Sequence, residues 1–149
     1  MMNSVYVWNL AFWLLAAALV ASACRQAAPA SKPLQVGDMM IRIAELEIDS
    51  LYLEEYLAIL KEEAAASLRL EPGVICIYPM YQQQQPAQVR ILEIYASREA
   101  YEAHLKSPHF LKYKTSTLNM VKSLRLVDMQ AIDAESMPEI FLKLKPLNR

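Results

Sequence analysis

The stretch Ile91–Phe110 reads I-L-E-I-Y-A-S-R-E-A-Y-E-A-H-L-K-S-P-H-F. It opens as a strand and closes as two helices. Ile91, Glu93 and Tyr95 alternate with Leu92 and Ile94, the period-two pattern of a pleated strand. Ser97 heads a short helical run through Leu105. Ser107-Pro108 then supplies an N-cap and a first-turn proline for a second helix. That break falls between His104 and His109, the only two histidines in the chain. A carboxylate, a phenol and two imidazoles thus follow one another over a strand–helix–helix turn, and any chemistry is expected here.

Working back from this stretch, the third strand begins at Gln88, with Val89, Ile91, Glu93 and Tyr95 on one face and Arg90, Leu92 and Ile94 on the other. Gln82–Gln85 and Pro86 read as a polar loop. Val74–Tyr81 reads as a second strand whose Pro79, lacking an N–H, requires an edge or a strand end. Pro72-Gly73 stops a helix that runs from about Leu51 to Leu68 behind the cap Asp49-Ser50. Tyr56, Ile59, Leu60, Ala64 and Ser67 recur at helical spacing and should face the sheet, with Glu54, Glu55, Lys61 and Glu62 towards solvent. Met39–Ile48 is the first strand, with Arg42, Ala44 and Leu46 on one face. Working forward, His109, Tyr113, Ser116 and Met120 share a helix face. A last strand runs from Val121 or Leu124 to Ile132. The remainder, 134–149, is a C-terminal extension with a short helix expected at Pro138–Leu142.

The order β-α-β-β-α-β predicts an α+β, ferredoxin-like fold, an antiparallel sheet with helices on one face, occupying residues 38–133. The strands carry apolar side chains on both faces, so the second face needs a cover. A second copy of the chain is the simplest, which makes a homodimer the expected assembly.

Upstream, every charged residue lies at or after Arg25. Val5–Ala23 is apolar and ends Ala21-Ser22-Ala23-Cys24, which resembles a bacterial lipoprotein cleavage box. Residues 1–23 are read as a signal peptide and Cys24 as the lipidated residue. The chain is then expected in the bacterial cell envelope, held to a membrane by its lipid and facing the periplasm. No Lys or Arg precedes the apolar run, and Ala21 stands where Leu is usual. Secretion after cleavage at Ala23, or an uncleaved anchor, are the alternatives. Residues 24–37, rich in Pro, Ala and Gln, form a tether.

Lys and Arg number 15 against 16 Asp and Glu, intermixed along the chain. No basic stripe is present, which argues against a nucleic-acid partner. Cys76 reads as a small buried hydrophobe, and two cysteines are too few for a structural zinc site.

From Met40 to about Ile132 the sequence resembles the antibiotic biosynthesis monooxygenase family, which includes quinol monooxygenases. The residues that carry the resemblance are I-R-I-A-E-L-E-I leading into a helix, E-E-A-A-A-S-L-R-L-E-P-G before the second strand, and the Ile91–Phe110 stretch. The resemblance implies a dimeric α/β-barrel assembly with a pocket between sheet and helices. It also implies oxygenation without metal, flavin or haem, although some members are isomerases. On that reading the substrates are a small aromatic or quinol-type molecule and dioxygen. A base must take a phenolic proton, donors must hold developing charge, and the pocket must be dry. Histidine suits the first role, because its ordinary pKa lies near neutrality. His104, His109 and Glu93 are the catalytic candidates, Glu93 to fix the tautomer of one ring. Tyr95, Arg42, Phe110 and Tyr113 are the candidates for substrate contact. A set of Glu93, His104 and His109 has the composition of a metal site, but no metal or cofactor is expected. A non-enzymatic binder of a small hydrophobic ligand, and an isomerase or degrader of a small metabolite, are the competing functions.

Overall fold

The computed structural model describes residues 36–133 together with Ser136 and Glu139. The leader, Cys24, the tether up to residue 35 and the expected helix at Pro138–Leu142, save Glu139, lie outside the described residues. After a 3-10 turn at Val36–Asp38 the elements are β1 (Met40–Ile48), α1 (Leu53–Leu70), β2 (Val74–Gln82), β3 (Gln85–Tyr95), α2 (Arg98–His104), α3 (Pro108–Thr117) and β4 (Val121–Met129). The four strands form one sheet in the order β2-β3-β1-β4, with every neighbouring pair antiparallel. This is the ferredoxin-type arrangement that the sequence predicts, as an open sheet.

Strand alternation decides which face carries the core. Ala44, Leu46 and Ile48 of β1 are buried, and so are Val89, Ile91 and Tyr95 of β3. Tyr56, Leu60, Ala64 and Ser67 of α1 close over them. Full burial of a Leu or Ile side chain contributes roughly 1.5–3 kcal/mol, so this layer supplies much of the fold's stability. The Tyr56 and Tyr113 hydroxyls lie 2.7 Å apart and tie α1 to α3. Gly73 is needed for close packing rather than for an unusual dihedral: a Cβ there would lie 2.6 Å from the Ala100 Cβ of α2.

Helix ends follow local chemistry. Asp49 caps a 3-10 turn at Ser50–Tyr52, through which the chain enters α1. Pro72 disfavours helical geometry at the residue before it, and Glu71 accordingly leaves α1 in an extended conformation (φ −111°, ψ 102°). Ser97 and Ser107 cap α2 and α3 by accepting from the Ala100 and Phe110 amides, both at 3.3 Å.

Several boundaries differ from the sequence reading. The glutamine loop is a two-residue turn at Gln83-Gln84, and β2 and β3 extend through Gln82 and Gln85 to meet it. The last strand stops at Met129 rather than Ile132, where its pairing with β1 ends at Ile41. On α3 it is Thr117, not Ser116, that is buried, because its hydroxyl donates back to the Tyr113 carbonyl. Pro79 lies in β2, an edge strand, as its missing donor requires. Cys76 is buried, and that burial pushes its thiol above the usual range.

Candidate active site

The register builds the site floor. Glu93 of β3 and Asp128 of β4 both stand opposite Arg42 of β1, so three ionisable side chains form one row across three strands. The next rows are apolar: Ile91–Ala44–Leu126 and Val89–Leu46–Leu124. Between this floor and the helices lies a cavity of about 500 Å³, within the range of about 300–1,000 Å³ usual for small-molecule sites. Its wall includes Arg42, Glu63, Glu93, Tyr95, His104, Phe110 and Tyr113, with Leu60, Ile77 and Tyr101.

His104 is 3% exposed and ends α2. Its Nδ1 lies 3.0 Å from Glu71 Oε1. A carboxylate only accepts, so Nδ1–H donates and Nε2 keeps its lone pair. Glu63 Oε1 stands 3.8 Å from Nε2, too far for a hydrogen bond. Phe110 packs against the imidazole at 4.6 Å between centroids, and Tyr95 at 5.4 Å. Among the described residues no buried side-chain nitrogen or oxygen lacks a hydrogen-bond partner.

Glu93 is expected from its sequence position to fix an imidazole tautomer, but in the structure Glu71 holds the His104 ring. Glu93 instead accepts from the Tyr95 hydroxyl at 3.1 Å. Tyr95 therefore already has an acceptor within its own strand. His109 also departs from expectation. It does not line the large cavity but a small outer cleft with Glu62, Glu63 and Lys112. Its Nε2 lies 2.5 Å from the same Glu71 oxygen. Arg42, Phe110 and Tyr113 are in the cavity wall. Arg42 is held there by Asp128, with Nε at 2.7 Å and Nη2 at 2.6 Å, and by the face of Tyr101 at 4.7 Å.

Two carboxylates of the candidate site are not foreseen from the sequence. Glu63 lies on the same buried face of α1 as Tyr56, Leu60 and Ser67, and it accepts from the Ser67 hydroxyl at 2.7 Å. Its position on that apolar stripe is the signal that could have found it. Glu71 precedes a proline, which is the signal that it leaves the helix. Glu63, His104 and His109 bring one carboxylate oxygen and two ring nitrogens within 4.8 Å of one another, a composition compatible with a metal ion. The Glu71 oxygen, however, is within hydrogen-bond distance of both rings, and the cluster reads as a hydrogen-bonded network.

Environment separates the carboxyls. Burial pushes Glu93 above the usual range despite the Tyr95 hydrogen bond and the nearby His104 and Arg42 charges. Burial likewise raises Glu63, outweighing its Ser67 bond. Partial burial works to raise Glu71 too, but its bonds to His104 and His109 prevail and hold it below the usual range. Burial pushes the Tyr113 phenol up to about 12. The site thus holds one carboxyl kept below the usual range behind His104 and two that burial pushes above it.

The sign of each shift predicts a pH dependence. A raised carboxyl contributes stability below its unfolded value, which is lost as pH rises through its folded value. Glu93→Gln should therefore raise Tm at pH 8 by about 2–5 °C, with the gain vanishing near pH 4. Glu71 has the opposite sign: its contribution is present above its unfolded value and is lost as pH falls through its folded one. Glu71→Gln should lower Tm at pH 8, with the deficit shrinking in acid. Thermal unfolding across this range checks both, and parallel responses of the two variants would contradict the assignment.

A sheet covered on one face by three helices, with a cavity between them and a histidine oriented in its wall, defines a ferredoxin-like α+β protein. The comparisons place it more narrowly. A profile described as antibiotic biosynthesis monooxygenase matches residues 39–116. A candidate antibiotic biosynthesis monooxygenase from Bacteroides thetaiotaomicron is 45% identical, with 66% of this chain and 94% of that one covered and a TM-score of 0.66. A candidate monooxygenase from Lactobacillus acidophilus is 28% identical with a TM-score of 0.61, covering 62% of this chain and 44% of that longer one. A third protein, from Nitrosomonas europaea, shares the fold at 18% identity and a TM-score of 0.60, with 64% and 91% covered. No curated protein matches. The chain belongs to the antibiotic biosynthesis monooxygenase family.

Proposed function

We propose that the protein is a cofactor-independent monooxygenase that oxidises a small aromatic or quinol-type compound in the 500 Å³ cavity. The observation that carries this reading is the Glu71–His104 pair: an ionised carboxylate holds Nδ1–H, so Nε2 is the basic nitrogen at the cavity wall. This is the base–orienter arrangement of acid–base catalysis.

His104 Nε2 takes the proton of a phenolic O–H, and the phenolate gives one electron to dioxygen. The resulting radicals couple at a ring carbon that bears hydrogen, forming a C–O bond. The O–O bond then breaks, and the ring carbon becomes a carbonyl. One oxygen atom stays in the quinone and the other leaves as water, formed with the proton that His104 held and the proton that the ring carbon gives up as it becomes a carbonyl. Dioxygen is the oxidant throughout. The Arg42 guanidinium is the group in the wall suited to hold the developing negative charge, and the carboxyls of Glu93 and Glu63, which burial pushes above the usual range, oppose it less than ordinary carboxylates would.

Oxygen uptake with a hydroquinone tests the reading: consumption at one dioxygen per quinol, with the label from ¹⁸O₂ in the product, is expected. Ligand binding without oxygen uptake would point instead to a binding module, and turnover without oxygen to an isomerase.

We also propose that a second copy covers the outer sheet face and that Cys24 carries a lipid that holds the chain to the bacterial envelope. The dimer is supported by Ile43, Leu92 and Val127, which are only half-buried there, and by Tyr78, Met80 and Met129, at 60%, 40% and 49% exposure. The anchor is supported by the apolar leader ending in Ala-Ser-Ala-Cys. Among the described residues no helix is long and apolar enough to cross a membrane. Native mass spectrometry of the full-length protein should read two chains, each with acyl mass on Cys24. Monomers would dismiss the first claim, and an unmodified Cys24 the second.

A further inference from the structure

One carboxylate oxygen serves two imidazoles. Glu71 Oε1 is 3.0 Å from His104 Nδ1 and 2.5 Å from His109 Nε2. The ring centroids are 6.4 Å apart and the ring planes are inclined at 54°. His104 forms part of the large cavity wall, whereas His109 faces the outer cleft with Ile59, Glu62, Ala66 and Lys112. The Ser107-Pro108 break between α2 and α3 produces this split, because it re-aims the chain between the two histidines. His109 therefore lies outside the wall of the large cavity, yet it meets the partner of His104 at a single oxygen atom.

The geometry points to His109 as a positioning residue: it fixes the Glu71 carboxylate against His104 and, by competing for the same oxygen, sets how strongly His104 holds a proton. This rests on the reading of His104 as the base and deepens it.

The direction follows from charge. An sp² oxygen has two lone pairs and can accept from both rings. Each donor nevertheless draws on the same negative charge, and a protonated His109 draws most. Glu71 then supports an imidazolium at His104 less well, so His104 releases its proton more readily. The other ionisable groups facing the pair are Glu63 from α1 and Glu93 and Tyr95 from β3. On the His109 side are Tyr113, Glu62 and Lys112, the last two bonded to each other at 2.9 Å. With Lys112 and Glu62 paired, Glu71 is the charged group in hydrogen-bond contact with both rings. A change at one ring is therefore felt at the other through that oxygen.

The chain's two histidines make the test direct. Imidazole NMR of full-length His109→Gln observes His104 alone; glutamine keeps a donor for Glu71 and does not titrate. The His104 midpoint should move up by about one pH unit relative to wild type, a tenfold change in proton affinity. Glu71→Gln in the same background should move it down. His109→Asn serves as the second variant if glutamine disturbs folding. An unmoved midpoint in His109→Gln, or an upward move on loss of the Glu71 charge, overturns the proposal. The acid limb of kcat/KM should follow the NMR midpoint. A midpoint that shifts in a protein without oxygen uptake would keep the coupling and discard the oxygenase reading. Turnover that needs His104 but ignores His109 would do the reverse.

Discussion

His104→Gln is expected to lower quinol-dependent oxygen uptake by about 10²–10⁴-fold, the usual contribution of a positioned general base. The loss should appear in kcat, because Nε2 acts on the proton in flight rather than on the ring that the aromatic wall binds. Glutamine at this position can still donate to Glu71 Oε1, so the carboxylate keeps a partner and the fold should survive. Circular dichroism and the thermal midpoint check that survival, and an oxygen electrode reads the rate. Turnover within a few-fold of wild type in a folded variant would remove His104 from the chemistry.

The second large effect is expected at Tyr95. Its side chain is 1% exposed and touches both sides of the site. The ring meets Tyr101 edge-on at 5.3 Å between centroids and His104 at 5.4 Å, while the hydroxyl donates to Glu93. Tyr95→Ala should cost about 3–5 kcal/mol, the range for truncating a buried aromatic. That is a large share of the roughly 5–15 kcal/mol by which a domain is stable. Tyr95→Phe keeps the ring and loses only the hydrogen bond, about 1 kcal/mol. Urea unfolding of the two variants separates packing from hydrogen bonding. Equal losses would mean that the hydroxyl, not the ring, is what matters.

The fold was legible because its signals are local. Alternation in β1 and β3, serines at 97 and 107, and Pro72-Gly73 each act within a few residues, and together they set the element order. The boundaries that slipped depend on partners. The ends of β2 and β3 are fixed by a two-residue turn that brings Gln82 opposite Gln85, and the end of β4 is fixed by where β1 gives out. The site was half legible. Sequence proximity singled out His104, His109 and Glu93, but hydrogen bonding in a fold links residues by space. The acceptor for both imidazoles comes from Glu71, 33 and 38 positions away along the chain. Glu93 lies close to the histidines in sequence, but strand geometry places its carboxylate beside Tyr95. Arg42 and Asp128 are 86 residues apart and meet only through the pairing of β1 with β4.

The central claim is that a phenolic substrate lies in the cavity with its hydroxyl on His104. The most direct test is a crystal structure of the protein with a redox-inert phenol bound. The ring is expected against Phe110 and the apolar rows of β1 and β3, with the phenolic oxygen about 2.6–3.2 Å from His104 Nε2. A phenol seated on the outer sheet face, or one inside the cavity with its oxygen turned away from the imidazole, would contradict it.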